Sequence, residues 1–375
     1  MLYNALLNLG ILAAVSAALV LAPSPLLNPP SVPFGVRVPP DKADAPEVAV
    51  QRRRYRNLFL GASAGVAVLA LAAGAAFDSL AAGAVCAVGG SVLLTVASAV
   101  LWVRAHRAVA RAKEQGGWYE QTRQGAFTDT SLRTDPVRFP WAWAIPAFVI
   151  VAVTAVVGAV VYPDLPDHMA LPQKSPSGTV YREYATTVWT AFALVLTQIA
   201  VTATMAGSVA GLLRARADLD VSRPRTSATR YRRYLAAMSR SVLGMAALID
   251  LMLFGLAGMM WADNRSQAVI GLVVGVPLLA VLGMVAHLVL RVGPGGSRLP
   301  DTVAEPDSGL VPRDDDRFWH GGGLIYVNTD DPAIMVARRV GLGWTVNLGN
   351  LRFLVLLAVF VALAAGAGVV AAVAM

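Results

Sequence analysis

The sequence predicts an all-α integral membrane protein, a bundle of about eight transmembrane helices with one small cytoplasmic module lying at the membrane interface. Three observations predict it. Of the 375 residues, 56% are hydrophobic and only 14% are charged, whereas a soluble domain carries roughly 25% charged residues. Eight apolar runs approach the ~20 residues with which a helix crosses a hydrocarbon core of about 30 Å. The charges lie between those runs and alternate in density, so the net charge of +8 reads as a topology signal rather than a nucleic-acid footprint. The single cysteine, Cys86, falls inside an apolar run, which excludes an intramolecular disulfide or a thiolate metal cluster. Arg outnumbers Lys 28 to 3 and Ala, Val, Gly and Leu dominate, a composition typical of a high-GC bacterial genome.

The runs cover residues 2–22, 58–77, 80–103, 141–162, 185–213, 241–261, 268–290 and 353–372. In lipid a backbone must satisfy its own hydrogen bonds, so each run is expected to be a helix. Asp78 and Ser79 alone separate the second and third runs, which predicts a tight helical hairpin. The first run could instead be a secretion signal, but no Lys or Arg precedes its apolar stretch, so an uncleaved helix is expected.

Charge asymmetry orients the bundle. The first, third, fifth and seventh connecting loops carry 6, 7, 8 and 7 Lys plus Arg, while the even loops hold only Lys174, Arg182 and Arg265. The odd loops are therefore expected in the cytoplasm and both termini outside, in a bacterial cytoplasmic membrane. The basic collars, with Arg52–Arg56 the densest, should meet anionic headgroups.

The loops have their own signals. In loop one, 23–57, PSPLLNPP should be extended before a helical start near Ala45, because proline denies helix. In loop three, 104–140, the helix should continue out of the membrane until Gly116-Gly117 ends it. Loop five, 214–240, reads as a basic collar. The Gly/Pro-rich, acidic stretch 293–312 reads as a flexible linker. In the module at 317–350, 324–327 suits a strand. Asp331-Pro332 suits the N-cap and first position of a short helix running to Val340 and stopped by Gly341. Trp319, Tyr326 and Trp344 suit the headgroup region, where an aromatic ring keeps one edge wet. Asn328, Asp331 and Asn347 are the module's candidate polar contacts.

One intramembrane residue stands out. Asp250 lies about nine residues, or ~14 Å, into the sixth run. An ionised carboxylate at that depth costs at least ~2.5–3.5 kcal/mol, so Asp250 should face the bundle, protonated or paired. Gln198 in the fifth run matches its depth, and His287 in the seventh is a more distant candidate partner. The set reads equally as a proton or ligand site and as a polar clasp between helices. The outer loop, 163–184, is the one sizeable external feature, and its Asp164, Asp167 and His168 are candidates for binding an outside partner.

Two fragments mimic an esterase. His320-Gly-Gly-Gly resembles an oxyanion-hole motif and Gly61-Ala-Ser63-Ala-Gly65 a nucleophile elbow. The elbow needs a strand-to-helix turn on a soluble sheet, and here it sits in an apolar helix. Gly61/Gly65 and Gly271/Gly275 read better as small-residue helix packing. No phosphate-binding loop occurs, and the four histidines lack metal-ligand spacing. Neither an enzyme nor a cofactor is expected.

Two stretches bear a family resemblance. Tyr162-Pro-Asp-Leu-Pro-Asp167 after a membrane helix resembles the start of the bacterial domain of unknown function 1648, which also occurs in SdpI-type immunity membrane proteins. Where that family continues with a Pro-x-His step and a Gly-x-x-Asp turn, this chain has Leu171-Pro172-Gln173 and Ser177-Gly178-Thr179. Asp316-Arg-Phe-Trp-His-Gly-Gly through Asn328, Asp331-Pro332, and Gly341-Leu-Gly-Trp344-Thr-Val-Asn347-Leu-Gly349-Asn350 resemble domain of unknown function 5808, and VPFGVRVPP in loop one is similar to proteins carrying it. The resemblance implies a membrane protein that protects against a secreted peptide toxin, and that can relay the toxin's presence to a cytoplasmic regulator. The residues also allow a proton-coupled transporter built on Asp250, Gln198 and the kinking Pro146 and Pro277, or a membrane scaffold.

Overall fold

The computed structural model describes residues 2–76, 80–127, 131–175, 178–302, 304–359 and 361. Its helices are α1 (Leu2–Val20), α2 (Pro46–Ala76), α3 (Leu80–Gln115), α4 (Ser131–Thr134), α5 (Trp141–Val161), α6 (Val188–Ala191), α7 (Ala193–Leu212), α8 (Pro224–Trp261) and α9 (Gln267–His287). Among the described residues six helices are long and apolar enough to cross a membrane: α2, α3, α5, α7, α8 and α9. This is consistent with an all-α, multi-pass membrane protein. Of the eighth run, helix is described over 351–359, and its remainder lies largely outside the described residues, as do Asp78 and Ser79 of the hairpin turn.

The helices pack as two groups. In the first, α1, α2 and α3 lie against one another, with Leu12, Tyr55, Phe59, Leu94, Trp102 and Val109 in their core. In the second, α8 touches α5, α7 and α9. Large side chains elsewhere on these helices, such as Val68, Val85, Val156 and Leu279, face outward, as expected where the surroundings are lipid.

Glycines mark the close approaches, although not at the positions the sequence suggested. Gly61, Gly65, Gly271 and Gly275 have open space where a Cβ would be, so the small-residue packing expected there is not found. The close contacts are instead at Gly90 against Leu12 and Val66, Gly158 against Trp261 and Phe192, and Gly255 against Val273. Spacing alone does not tell which helix face is covered.

All four basic connecting segments meet at one end of the bundle. Arg37 of loop one bonds Asp218 of loop five, and Lys113 at the end of α3 bonds Asp314 and Asp316 of the last loop. Loop three joins them through β1 (Gln124–Gly125), which pairs in parallel with β4 (Val311–Pro312). The segments before α2 and after α9 therefore lie at the same end of the bundle.

Several local expectations change. Residues 21–28 form turns rather than extended chain, because the Asn28 amide donates to the carbonyls of Ala22 and Ser24. The stretch 293–312 is tied down rather than free. Glu305 accepts the Thr226 N–H, Ser308 donates to Val221 O, and Arg233 donates to Pro300 O, so this stretch runs along the first turns of α8. At the opposite end of the bundle, the outer loop is an antiparallel hairpin of β2 (His168–Ser175) and β3 (Gly178–Ala185), and β2 packs against α8.

Candidate functional site

Asp250 sits where α5, α7 and α8 cross, fully buried together with Gln198 and Thr154. Thr202 Oγ1 donates to Asp250 Oδ2 at 2.6 Å. The Gln198 amide spans all three helices, because its Nε2 donates to the Asp250 backbone carbonyl at 2.8 Å and to Thr154 Oγ1 at 3.1 Å. Asp250 Oδ1 and Gln198 Oε1 are buried without a partner. Gln198, matched to Asp250 by depth, reaches its backbone carbonyl, whereas the side-chain donor to the carboxyl is Thr202. His287 is not part of the cluster, since its side chain is exposed at the far end of α9. Thr154 and Thr202 were missed; Thr202 is Gln198 + 4, a spacing that places those two on one face of α7.

At the hairpin end, Asp164, Asp167 and His168 are all exposed, while the next residue, Met169, is buried. The three polar groups therefore lie at the surface, next to the buried Met169 of β2.

At the basic end the module is a small β structure. β5 (Trp319–His320) pairs with β6 (Ile325–Tyr326), and β7 (Met335–Ala337) pairs with β8 (Trp344–Val346), both antiparallel. The helix expected from Pro332 to Val340 is therefore replaced by a strand. The cause is side-chain competition for the backbone. Asn347 Nδ2 donates to the carbonyls of Asn328, Asp331 and Ala333, and Asn350 Nδ2 to those of Asp331 and Pro332. Carbonyls that a helix would use are thereby taken. Asp331 still accepts the Ala333 N–H as a cap would, while its other oxygen holds Tyr326 OH at 3.0 Å and Arg216 at 2.5 Å.

The module's aromatic rings are protein core rather than headgroup anchors. Trp319, Tyr326 and Trp344 are all buried. Trp344 Nε1 donates to Tyr231 OH of α8 at 3.2 Å, and its ring packs on Tyr234 with centroids 5.3 Å apart. Asn328 donates from Nδ2 to Tyr326 OH and from its backbone N–H to Asn347 Oδ1. Asn328 and Asn347 thus spend their polar atoms inside the module, while Asp331 also ties it to Arg216 of loop five.

What sequence reasoning missed is the ionic knot beneath the module. Arg339, 2% exposed, pairs with Asp315 and Asp316 and donates to Gly35 O. Arg37, also buried, pairs with Asp315 at 2.8 Å and Asp218 at 2.7 Å, and Lys113 bridges Asp314 at 2.7 Å and Asp316 at 2.6 Å. Burial would raise the Asp315 and Asp316 carboxyls. Arg37 and Arg339 at Asp315, and Arg339 and Lys113 at Asp316, outweigh it and hold both below the ordinary carboxylate range. The signal was present as the acidic run at 314–316, but two of its partners, Arg37 and Lys113, lie more than 200 residues away in loop one and α3.

The triple glycine after His320 has a packing role. Gly35, at φ +79°, would place a Cβ 2.2 Å from Gly322 O, and Gly323 packs on Gly35 in return. Trp102 Nε1 donates to Gly322 O, and His106 Nδ1 contacts Phe34 O at 2.8 Å. Segments 32–40 and 316–350 are thus in backbone contact.

Residues 329–353 match the family described as "Family of unknown function (DUF5808)". The DUF5808 segment begins at the Asp331 turn, includes β7, β8 and the Asn347 and Asn350 side chains, and ends in the first turn of the last helix. No curated protein and no solved structure matches the chain.

Proposed function

We propose that this is a non-enzymatic protein of the bacterial cytoplasmic membrane, with about eight spans and both termini outside, that senses an event at its outer face and passes it to the cytoplasmic side. The observation that carries the reading is α8. Its 38 residues extend ~57 Å at 1.5 Å per residue, far more than the ~30 Å hydrocarbon core. One end of α8 meets the β2 hairpin strand, the middle of its apolar part holds Asp250, and its other end holds Trp344 of the DUF5808 segment through Tyr231 and Tyr234. A single rigid element therefore touches the outer hairpin and the module. The basic collars meet anionic headgroups on the inner face, and a cytoplasmic regulator reads the module.

The specific form we favour is protection against a secreted peptide. It follows the likeness of 162–167 to domain of unknown function 1648, and the exposed Asp164, Asp167 and His168 supply anionic and imidazole groups for a cationic peptide. In conditioned medium from the native culture, a deletion strain should die while its complemented parent survives. Complementation with Asp164→Ala/Asp167→Ala, inserted at the parental level, should fail to protect. Equal survival of all strains would remove the immunity reading. Proton-coupled transport is the second reading, favoured by the unpartnered oxygen of Asp250.

A further inference from the structure

The apolar parts of the helices around Asp250 are devoid of other ionisable side chains. α5 and α7 contain none, and α8 has none between Arg240 and its end at Trp261 except Asp250. On the other elements that pack against α8, the ionisable groups are His287, exposed at the end of α9, Arg291 just after it, and His168 and Lys174 of β2. His168 is exposed beyond the apolar span. Arg240, the nearest charge along α8, is ten residues or ~15 Å away from Asp250. No salt bridge reaches Asp250 among the described residues. Its carboxyl is nonetheless fully buried, with a single side-chain donor, Thr202, and one oxygen unpartnered.

A buried charge without a partner is expensive enough that the group takes up a proton instead. We propose that Asp250 is a proton-binding site at the α5/α7/α8 crossing, and that its occupancy sets how tightly α7 is clasped to α8. Binding adds one proton from water to the carboxylate at Oδ1, and nothing is oxidised or reduced. The protonated Oδ1 becomes a hydrogen-bond donor, and the buried acceptor that lacks a donor is Gln198 Oε1 in the same cluster. Loss of the proton leaves a full buried charge with one hydroxyl donor, Thr202, which favours opening of the crossing to water. This holds whether the protein relays a signal or transports, since it rests on the cluster alone.

The test is infrared difference spectroscopy of the full-length protein in lipid vesicles, in water and in deuterium oxide. Wild type should show a carbonyl band of a protonated carboxylic acid that shifts on deuteration and is lost in Asp250→Asn. Thr202→Val removes the hydroxyl on Oδ2 without touching the acid, so that band should move to higher frequency. If Asp250→Asn does not insert, the Thr202→Val shift decides alone. Identical spectra for wild type and Asp250→Asn, or no movement of the band in Thr202→Val, overturns the proposal. A band that never exchanges with deuterium also overturns it, because that proton is a fixed part of a helix clasp.

Discussion

Arg339→Ala should release the module from the membrane bundle. The substitution leaves Asp315 and Asp316, both partly buried, with one cation fewer each. Removing one partner of a fully buried ion pair costs about 3–5 kcal/mol, and the partial exposure of these carboxylates puts the expected cost below that range. It also leaves the Gly35 carbonyl without its buried donor. The loss should appear as faster hydrogen exchange through 317–350 and through 32–40 together, with the transmembrane helices unchanged. Arg339→Lys should recover only part of the effect, because one ammonium cannot serve Asp315, Asp316 and Gly35 O in a fixed fork. The knot also predicts a pH dependence. Asp315 and Asp316 have folded values below their unfolded ones, so their contribution is complete above the unfolded value near ~3.9. It is lost as pH falls through the folded values. Docking should therefore be constant at neutral pH and fail on acidification below about 4.

Asn347→Ala should be nearly as damaging, and more locally. The side chain is completely buried and makes five bonds, with Oδ1 accepting from Asn328 N and Gly349 N and Nδ2 donating to the carbonyls of Asn328, Asp331 and Ala333. Alanine strands two backbone N–H groups in the interior, and each unsatisfied group costs about 1–3 kcal/mol. Gly349 cannot move away to find water, since it is packed within 2.7 Å of the Asn328 backbone as judged from its would-be Cβ. The expected result is loss of the β7–β8 pairing, read as protease cleavage within the DUF5808 segment while the membrane helices stay protected. Asn347→Asp should also fail, because a carboxylate cannot donate to three carbonyls. Wild-type protease resistance in either variant would contradict the role given to Asn347.

The membrane helices were legible because their signal is local: an apolar run of the right length has one way to satisfy its backbone in lipid. Asp250 and Gln198 could be placed at one depth by counting turns, since depth along a helix is fixed by its rise. His287 could not be excluded that way, because the count gives depth but not the face that a helix presents. The module was misread where the determinant is distant in sequence. Asp331-Pro332 carries a sound helix start, yet Asn347 and Asn350, 15 or more residues later, take the carbonyls that a helix needs. The ionic knot was invisible for the same reason on a larger scale. Arg37, Lys113 and Asp218 each read as part of a solvated basic loop until the fold brings them to one acidic run. The aromatic residues were misassigned because burial against protein and burial at a headgroup layer select the same side chains.

The account turns on the hairpin and the module lying on opposite sides of the membrane, joined by α8. Cys86 is the only cysteine, so Cys86→Ala gives a clean background for single-cysteine labelling in intact cells with a membrane-impermeant maleimide. Asp167→Cys in the hairpin and Asp330→Cys in the module both place the thiol at an exposed position. Asp167→Cys should label in intact cells and Asp330→Cys only after the membrane is permeabilised. Labelling of both in intact cells, or of Asp330→Cys alone, would contradict the account.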